Sequence, residues 1–222
     1  MEQETIQRKK PSIFGMIFSP GEQLERIRER PVIWLPLILL TLVMTIIAVF
    51  SALNIDYSAM PGMEMSAEEE QMAKIFGVVG AGLVGFFGTP IGYLFFGLIF
   101  WAIAKVAKSD ATFKQMFSLM IFTSIITTIG QILNQLIIFA IDGDPLIMLT
   151  SLNSLVGADG VLGAVLSTFE VFSIWYYIVL GMGLVKVAKL SKPAAVIITI
   201  VFFVLGIIIA AIGGAFEGMT QF

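Results

Sequence analysis

Residues 186–216 read KVAKLSKPAAVIITIVFFVLGIIIAAIGGAF. Lys186, Lys189 and Lys192 crowd its start, and from Pro193 to Phe216 no residue carries a charge. A helix needs about 20 apolar residues to cross about 30 Å of hydrocarbon at about 1.5 Å per residue, and this run is long enough. Leu190-Ser191-Lys192-Pro193 leaves room only for a tight turn, so the segment before it must run antiparallel beside it. That segment is itself apolar, over about 160–189. Upstream the pattern recurs over about 113–141, 77–106 and 32–53. The expected fold is an all-α membrane protein, a five-transmembrane-helix bundle.

Charge orders these spans. Of 13 Lys and Arg residues, only Lys74 falls in a connection of the other parity from the N-terminus. The rest lie in the N-terminal stretch, near 105–114 and near 186–192. The opposite connections are acidic, with Asp56, Glu64, Glu68, Glu69, Glu70, Asp142, Asp144 and Asp159. Basic loops stay in the cytoplasm, so the expected location is the cell membrane, N-terminus cytoplasmic and C-terminus extracellular.

Composition agrees. The chain is 58% hydrophobic and 13% charged, against roughly 45–50% and about 25% in soluble domains. It has no cysteine and no histidine, so it offers no disulfide, thiolate nucleophile or zinc–thiolate site, and lacks the usual general base near neutral pH. Paired acids or a Ser-Lys dyad within the spans are also missing. No P-loop or metal-spaced acidic cluster occurs. No catalytic, cofactor-binding or metal-binding residue is therefore expected, and no nucleic-acid partner, since the basic residues serve topology.

Residues 1–30 read as a cytoplasmic segment with an amphipathic helix, and 31–222 as the membrane domain. The polar start is unlike a cleavable signal peptide. Ile13, Phe14, Ile17 and Phe18 form an apolar strip suited to the inner leaflet. Ser19-Pro20-Gly21-Glu22 predicts a helix start, with Ser19 as N-cap, Pro20 in the first turn and Glu22 completing a capping box. The helix that follows carries Leu24 and Ile27 on one face; it lies on the membrane surface or docks a cytoplasmic partner through Pro20, Arg26, Arg28 and Arg30. Ser66 and Glu69 predict a second capping box, so the next helix starts outside the bilayer. Pro90 predicts a bend in it. Ser109 or Asp110 is the expected cap of the third span. Asp144-Pro145 opens a short apolar stretch, to about Leu155, expected on the outer surface.

Within the spans three features stand out. Gly77, Ala81, Gly85, Gly88 and Gly92 fall within an arc of roughly 80° of an ideal helix, a stripe that lets a second backbone approach. Gly206, Ala210 and Gly214 offer a matching stripe, and pairing of those two helices is expected. The same stripes would serve two copies of the chain, a homo-oligomer, equally well. Ser124, Thr127, Thr128, Gln131, Asn134 and Gln135 share a polar face of the third span, suited to interhelical bonds or a hydrophilic cavity. Glu170 is the one ionisable residue well inside a span, and an intramembrane acid is a functional candidate by default. Trp175 and Tyr176 lie one to two turns beyond it.

Phe18-Ser19-Pro20 with Ile27-Arg28-Glu29-Arg30-Pro31, Lys108-Ser109-Asp110-Ala111-Thr112-Phe113-Lys114, and Phe172-Ser173-Ile174-Trp175 followed by Gly181, Gly183 and Leu190-Ser191-Lys192 together resemble the Yip family of five-span membrane proteins. The likeness runs from about residue 12 to the end. It is strongest to bacterial members that accompany ABC exporters, and it implies a non-enzymatic partner of another integral membrane protein such as exporter subunits. The different reading from the residues alone is a small transporter or channel built around Glu170 and the third-span polar face.

Overall fold

The computed structural model describes residues 9–55, 65–141, 143 and 147–219, and the side chains of all these except 217–219. Regular structure among them is helical apart from a bridge between Ser151 and Glu170. Among the described residues four helical runs are long and apolar enough to cross a membrane.

The N-terminal part forms a single turn, α1 (Gly15–Phe18), and α2 (Pro20–Glu29). Pro20 sits in the first turn, where a missing N–H costs nothing. The capping box expected at Ser19 is not formed. The Ser19 hydroxyl donates to the Gly15 carbonyl and accepts from Gln23, while Glu22 pairs with Arg26 one turn on. A charged i,i+4 partner outcompetes the backbone for that carboxylate.

α3 (Trp34–Asn54) follows, its Pro36 again in the first turn. The second capping box is present: Ser66 N–H donates to Glu69 at 2.8 Å, and the Ser66 hydroxyl accepts from Glu69 N–H. From it α4 (Ala67–Leu83), a π-helical turn (Val84–Gly88) and α5 (Thr89–Val106) run on as one apolar rod of 40 residues. At about 1.5 Å per residue such a rod outruns the hydrocarbon, in keeping with Glu68, Glu69, Glu70 and Lys74 near its start. Pro90 accounts for the π-turn. It gives no N–H to the carbonyl four residues back, its ring crowds that turn, and one wider turn relieves both.

The π-turn also interrupts the ideal helix on which the glycine stripe was read. An i→i+5 turn shifts the angular phase, with Gly77 and Ala81 before the turn, Gly85 and Gly88 within it and Gly92 beyond it. Gly85 makes a close backbone contact: a Cβ there would lie 2.7 Å from Thr45 Cα on α3, whereas one at Gly92 would meet nothing within 4 Å. The rod therefore packs on α3. The stripe at the chain's end pairs elsewhere too. A Cβ on Gly214 would lie 2.6 Å from the Gly160 carbonyl, at the start of another helix. The close approaches on the central helix involve glycines outside the expected stripes: Gly97 against Phe117, Gly130 against Phe172 and Gly183 against Leu119.

α6 (Phe113–Ile141) is the axis of the molecule, with 72% of its most apolar window buried against 6% for the last helix. Its cap is neither Ser109 nor Asp110. Thr112 and Gln115 form a capping box, the Thr112 N–H donating to Gln115 at 2.7 Å and the Gln115 N–H to Thr112 at 3.3 Å. Ser109 is engaged with Ala111 N–H and the Ala188 carbonyl, and Asp110 with Arg28. The Asp144-Pro145 opening lies outside the described residues. Residues 147–152 are irregular and lead to the single turn α7 (Asn153–Val156).

The fourth apolar run departs from expectation. It is not one helix but two, α8 (Gly160–Thr168) and α9 (Val171–Lys186), broken at Phe169-Glu170. Then α10 (Lys192–Met219) packs against both, as the tight turn before it requires. Lys189 in that turn and Lys108 after α5 both have positive φ, 56° and 59°. Each ends a helix in the left-handed conformation usually given to glycine. The buried core gathers Met16, Leu24 and Ile27 from α1 and α2, Phe100 and Ala104 from α5, the first half of α6, and Leu184 and Val187 near the end of α9. It lies at the basic end, while large apolar side chains of α3, α4, α5 and α10 face outward.

Candidate functional site

Glu170 explains the break. Its backbone is extended, φ −107° and ψ 139°, and its carboxylate caps α9 by accepting from Phe172 N–H at 2.9 Å and Ser173 N–H at 2.6 Å. The Thr150 hydroxyl donates to the same carboxylate at 2.7 Å. Backbone bonds flank the cap, Leu152 N–H to the Phe169 carbonyl and Val171 N–H to the Thr150 carbonyl. Glu170 is 3% exposed. An acid without a cation thus rests on the amide dipoles of a helix start and on a hydroxyl, the groups that can stabilise a carboxylate in an apolar setting.

Asn134 holds the other side of the same segment. Its amide donates to the Ile147 carbonyl at 2.8 Å, and its oxygen accepts from Leu149 N–H at 2.7 Å. Asn134 and Glu170, 36 residues apart in sequence, are brought together through the irregular stretch 147–151 that they clamp. The remaining polar face does not join them. Ser124, Thr127 and Thr128 donate back to carbonyls of their own helix at 2.8–3.0 Å, and the Tyr93 hydroxyl faces Ser124 and Thr128. Gln131 is half-buried. Gln135 borders a shallow groove between α3 and α6 with Val43, Phe50 and Phe139. Trp175 and Tyr176 pack inside the bundle, Trp175 on Phe172 with ring centroids 6.3 Å apart and Tyr176 on Tyr177 at 5.2 Å. Sequence reasoning missed Thr150, although a hydroxyl in an apolar stretch that must return to the protein was the available signal.

At the opposite end the three basic segments meet. Arg28 donates to the Val187 carbonyl at 2.9 Å and pairs with Asp110 at 2.5 Å. Lys186 donates to the Gly21 carbonyl at 3.1 Å and pairs with Glu25 at 2.6 Å. Gln115 donates to the Arg28 carbonyl, Ser118 to that of Val32, and Ser109 to that of Ala188. Leu24 and Ile27 are fully buried beneath this lattice. So α2 does not lay its apolar face on lipid; that face is spent on the bundle, and Phe14 and Phe18, 75% and 85% exposed, are left outward beside it. Arg28 holds Asp110 below the usual carboxylate range, and Lys186 does the same for Glu25. Of the cytoplasmic candidates, Arg28 is spent on this docking and Arg26 pairs with Glu22; Pro20 and Arg30 sit at the two ends of α2.

A bundle of long apolar helices, a docked N-terminal helix and a basic cap narrow the choice of family, and comparison with known proteins decides it. The Yip1 domain model matches residues 14–213, nearly the whole chain. The chain belongs to the Yip1 domain family. That bears out the resemblance drawn from the helix boundaries. A curated relative, "Membrane protein YknW" of Bacillus subtilis (strain 168), is 38% identical over 223 residues, covering 96% of this chain and 94% of its own length. No solved structure matches. This Yip1-domain protein is thus a membrane protein with several apolar helices.

Proposed function

We propose that this Yip1-domain protein is a non-enzymatic partner of another integral membrane protein, of the kind an ABC exporter provides, and that it crosses the bilayer five times with the broken pair α8–α9 as its fourth crossing. The cap of α2 and the two basic turns then faces the cytoplasm, and the C-terminus faces outward. The observation that carries the reading is where the polar groups go. Glu170, Asn134 and the α6 hydroxyls are each bonded to backbone or to a neighbouring side chain in the same fold. Glu170 and Asn134 hold chain segments in place and the hydroxyls are satisfied within α6, both ordinary uses of such groups in membranes. The α3 and α4–α5 faces, with exposed Leu35, Ile46, Phe76 and Phe95, supply the apolar surface a second membrane protein would cover.

Photo-crosslinkable residues at Ile46, Phe76 and Phe95 are introduced in cells of the native source and the adducts identified by mass. The expected product joins the chain to a distinct multi-pass protein, at one face more than the others. Adducts with lipid or with the chain itself only would overturn the reading. The transporter reading has its own test: a Glu170→Gln-sensitive solute flux in liposomes would restore it.

A further inference from the structure

Between α9 and α10 lies a groove of about 730 Å³, open along one side. The two helices are joined at the basic turn, and beyond the break α8 packs tightly on α10 through Gly160 and Gly214. The break lets α9 depart from that line, and the groove fills the gap. Its outer end is closed by Phe169 against Phe203, rings 5.5 Å apart. Its floor holds Gly181. Its hydroxyls are turned away: Thr199 donates to the Ala195 carbonyl at 2.8 Å, and Tyr177 to that of Phe202 at 3.4 Å. The groove is therefore apolar along most of its length.

One end differs. Lys186 and Lys192 line it there, with Lys189 in the turn between. Among the described residues the carboxylate seen on them is Glu25, which holds Lys186 and lies near Lys189. Lys192, at the N-terminal end of α10, adds its charge to the positive end of that helix. Three cations against one acid leave a positive rim on an apolar slot. The 16 residues of α9 rise about 24 Å, more than the roughly 15 Å of hydrocarbon in one leaflet, so a whole acyl chain fits.

We propose that this groove is a binding site for an anionic glycerophospholipid of the leaflet at the basic end, one acyl chain lying between α9 and α10 and the phosphodiester held by Lys192 with Lys186 and Lys189. A zwitterionic headgroup brings its own cation to that rim and fits it less well.

Purified full-length protein, exchanged into equimolar phosphatidylglycerol and phosphatidylcholine, is examined by native mass spectrometry for retained lipid. Phosphatidylglycerol should be retained in preference. Lys192→Gln should weaken that retention about fivefold, while Lys114→Gln, an exposed lysine at the same end but away from the groove, should not. Val196→Trp, which fills the slot from its exposed rim, should reduce retention of both lipids. Ile200→Trp serves the same purpose if the first variant does not fold. Equal retention of the two lipids would overturn the proposal, as would an equal effect of Lys114→Gln, unchanged retention in a folded tryptophan variant, or a polypeptide segment found seated in the groove.

Discussion

Glu170 stands out in the sequence as an intramembrane functional candidate, and its bonds in the fold are those of a helix cap. It accepts from two backbone amides and from Thr150, so truncation removes a cap and strands three buried donors. Losing an N-cap costs about 1 kcal/mol, and leaving buried donors unpaired about 1–3 kcal/mol more. Glu170→Ala should therefore destabilise by about 3 kcal/mol. Glu170→Gln should cost about 1–2 kcal/mol, because one acceptor is replaced by an NH2 that faces an amide N–H. Denaturant unfolding in a fixed detergent reads both, and a Glu170→Gln protein as stable as its parent would contradict the capping role. Thr150→Val, which removes one donor and leaves the amides capped, should cost less, about 1 kcal/mol. Asn134 was singled out in the sequence for its polarity; its partners could not be, because the residues it bonds lie in an apolar stretch without a period.

At the scale of elements, α2 is the instructive case. Its apolar face was legible from Leu24 and Ile27, but not what that face would meet, since a helix with one apolar stripe suits a membrane surface and a protein groove alike. Both side chains are fully buried, so Leu24→Ala should cost about 2–5 kcal/mol. The loss should register as faster hydrogen exchange across α2. The ion pairs of this cap set its pH dependence. Asp110 and Glu25 both have folded-state pKa values lowered by their cations. Depressed carboxylates stabilise above their unfolded pKa, and that contribution goes as pH falls through the folded value. Protection of the α2 amides, taken relative to the intrinsic exchange rate at each pH, should thus be flat from neutrality to the ordinary carboxylate range near pH 4 and fall below it. In Arg28→Met the part due to Asp110 should vanish. The capping box of α4 was legible because S-x-x-E is local. That of α6, Thr112 with Gln115, was overlooked in favour of Ser109 and Asp110, both of which fold into contacts with distant segments. The break between α8 and α9 had no local signal at all: neither glycine nor proline stands there, and a carboxylate with its clamp from 147–151 makes it.

For the whole molecule, the apolar runs carried the all-helical character and the long apolar helices, because the bilayer admits few backbone solutions. What they left open was which helices touch. The π-turn ahead of Pro90 rotates the glycine stripe off register, and α10 spends Gly214 on α8. Packing of this sort depends on partners many residues away. The proposed topology puts the three basic segments, as one cap, on the cytoplasmic side of a membrane-embedded bundle. Single cysteines at Lys108 and Lys192 in the cap, and at Ala67 and Leu155 toward the other end, are exposed places to ask. A membrane-impermeant maleimide applied to intact cells should label the cysteines at 67 and 155, and reach those at 108 and 192 only after the membrane is opened. Labelling of 108 or 192 in intact cells, or protection of 67 and 155, would contradict it.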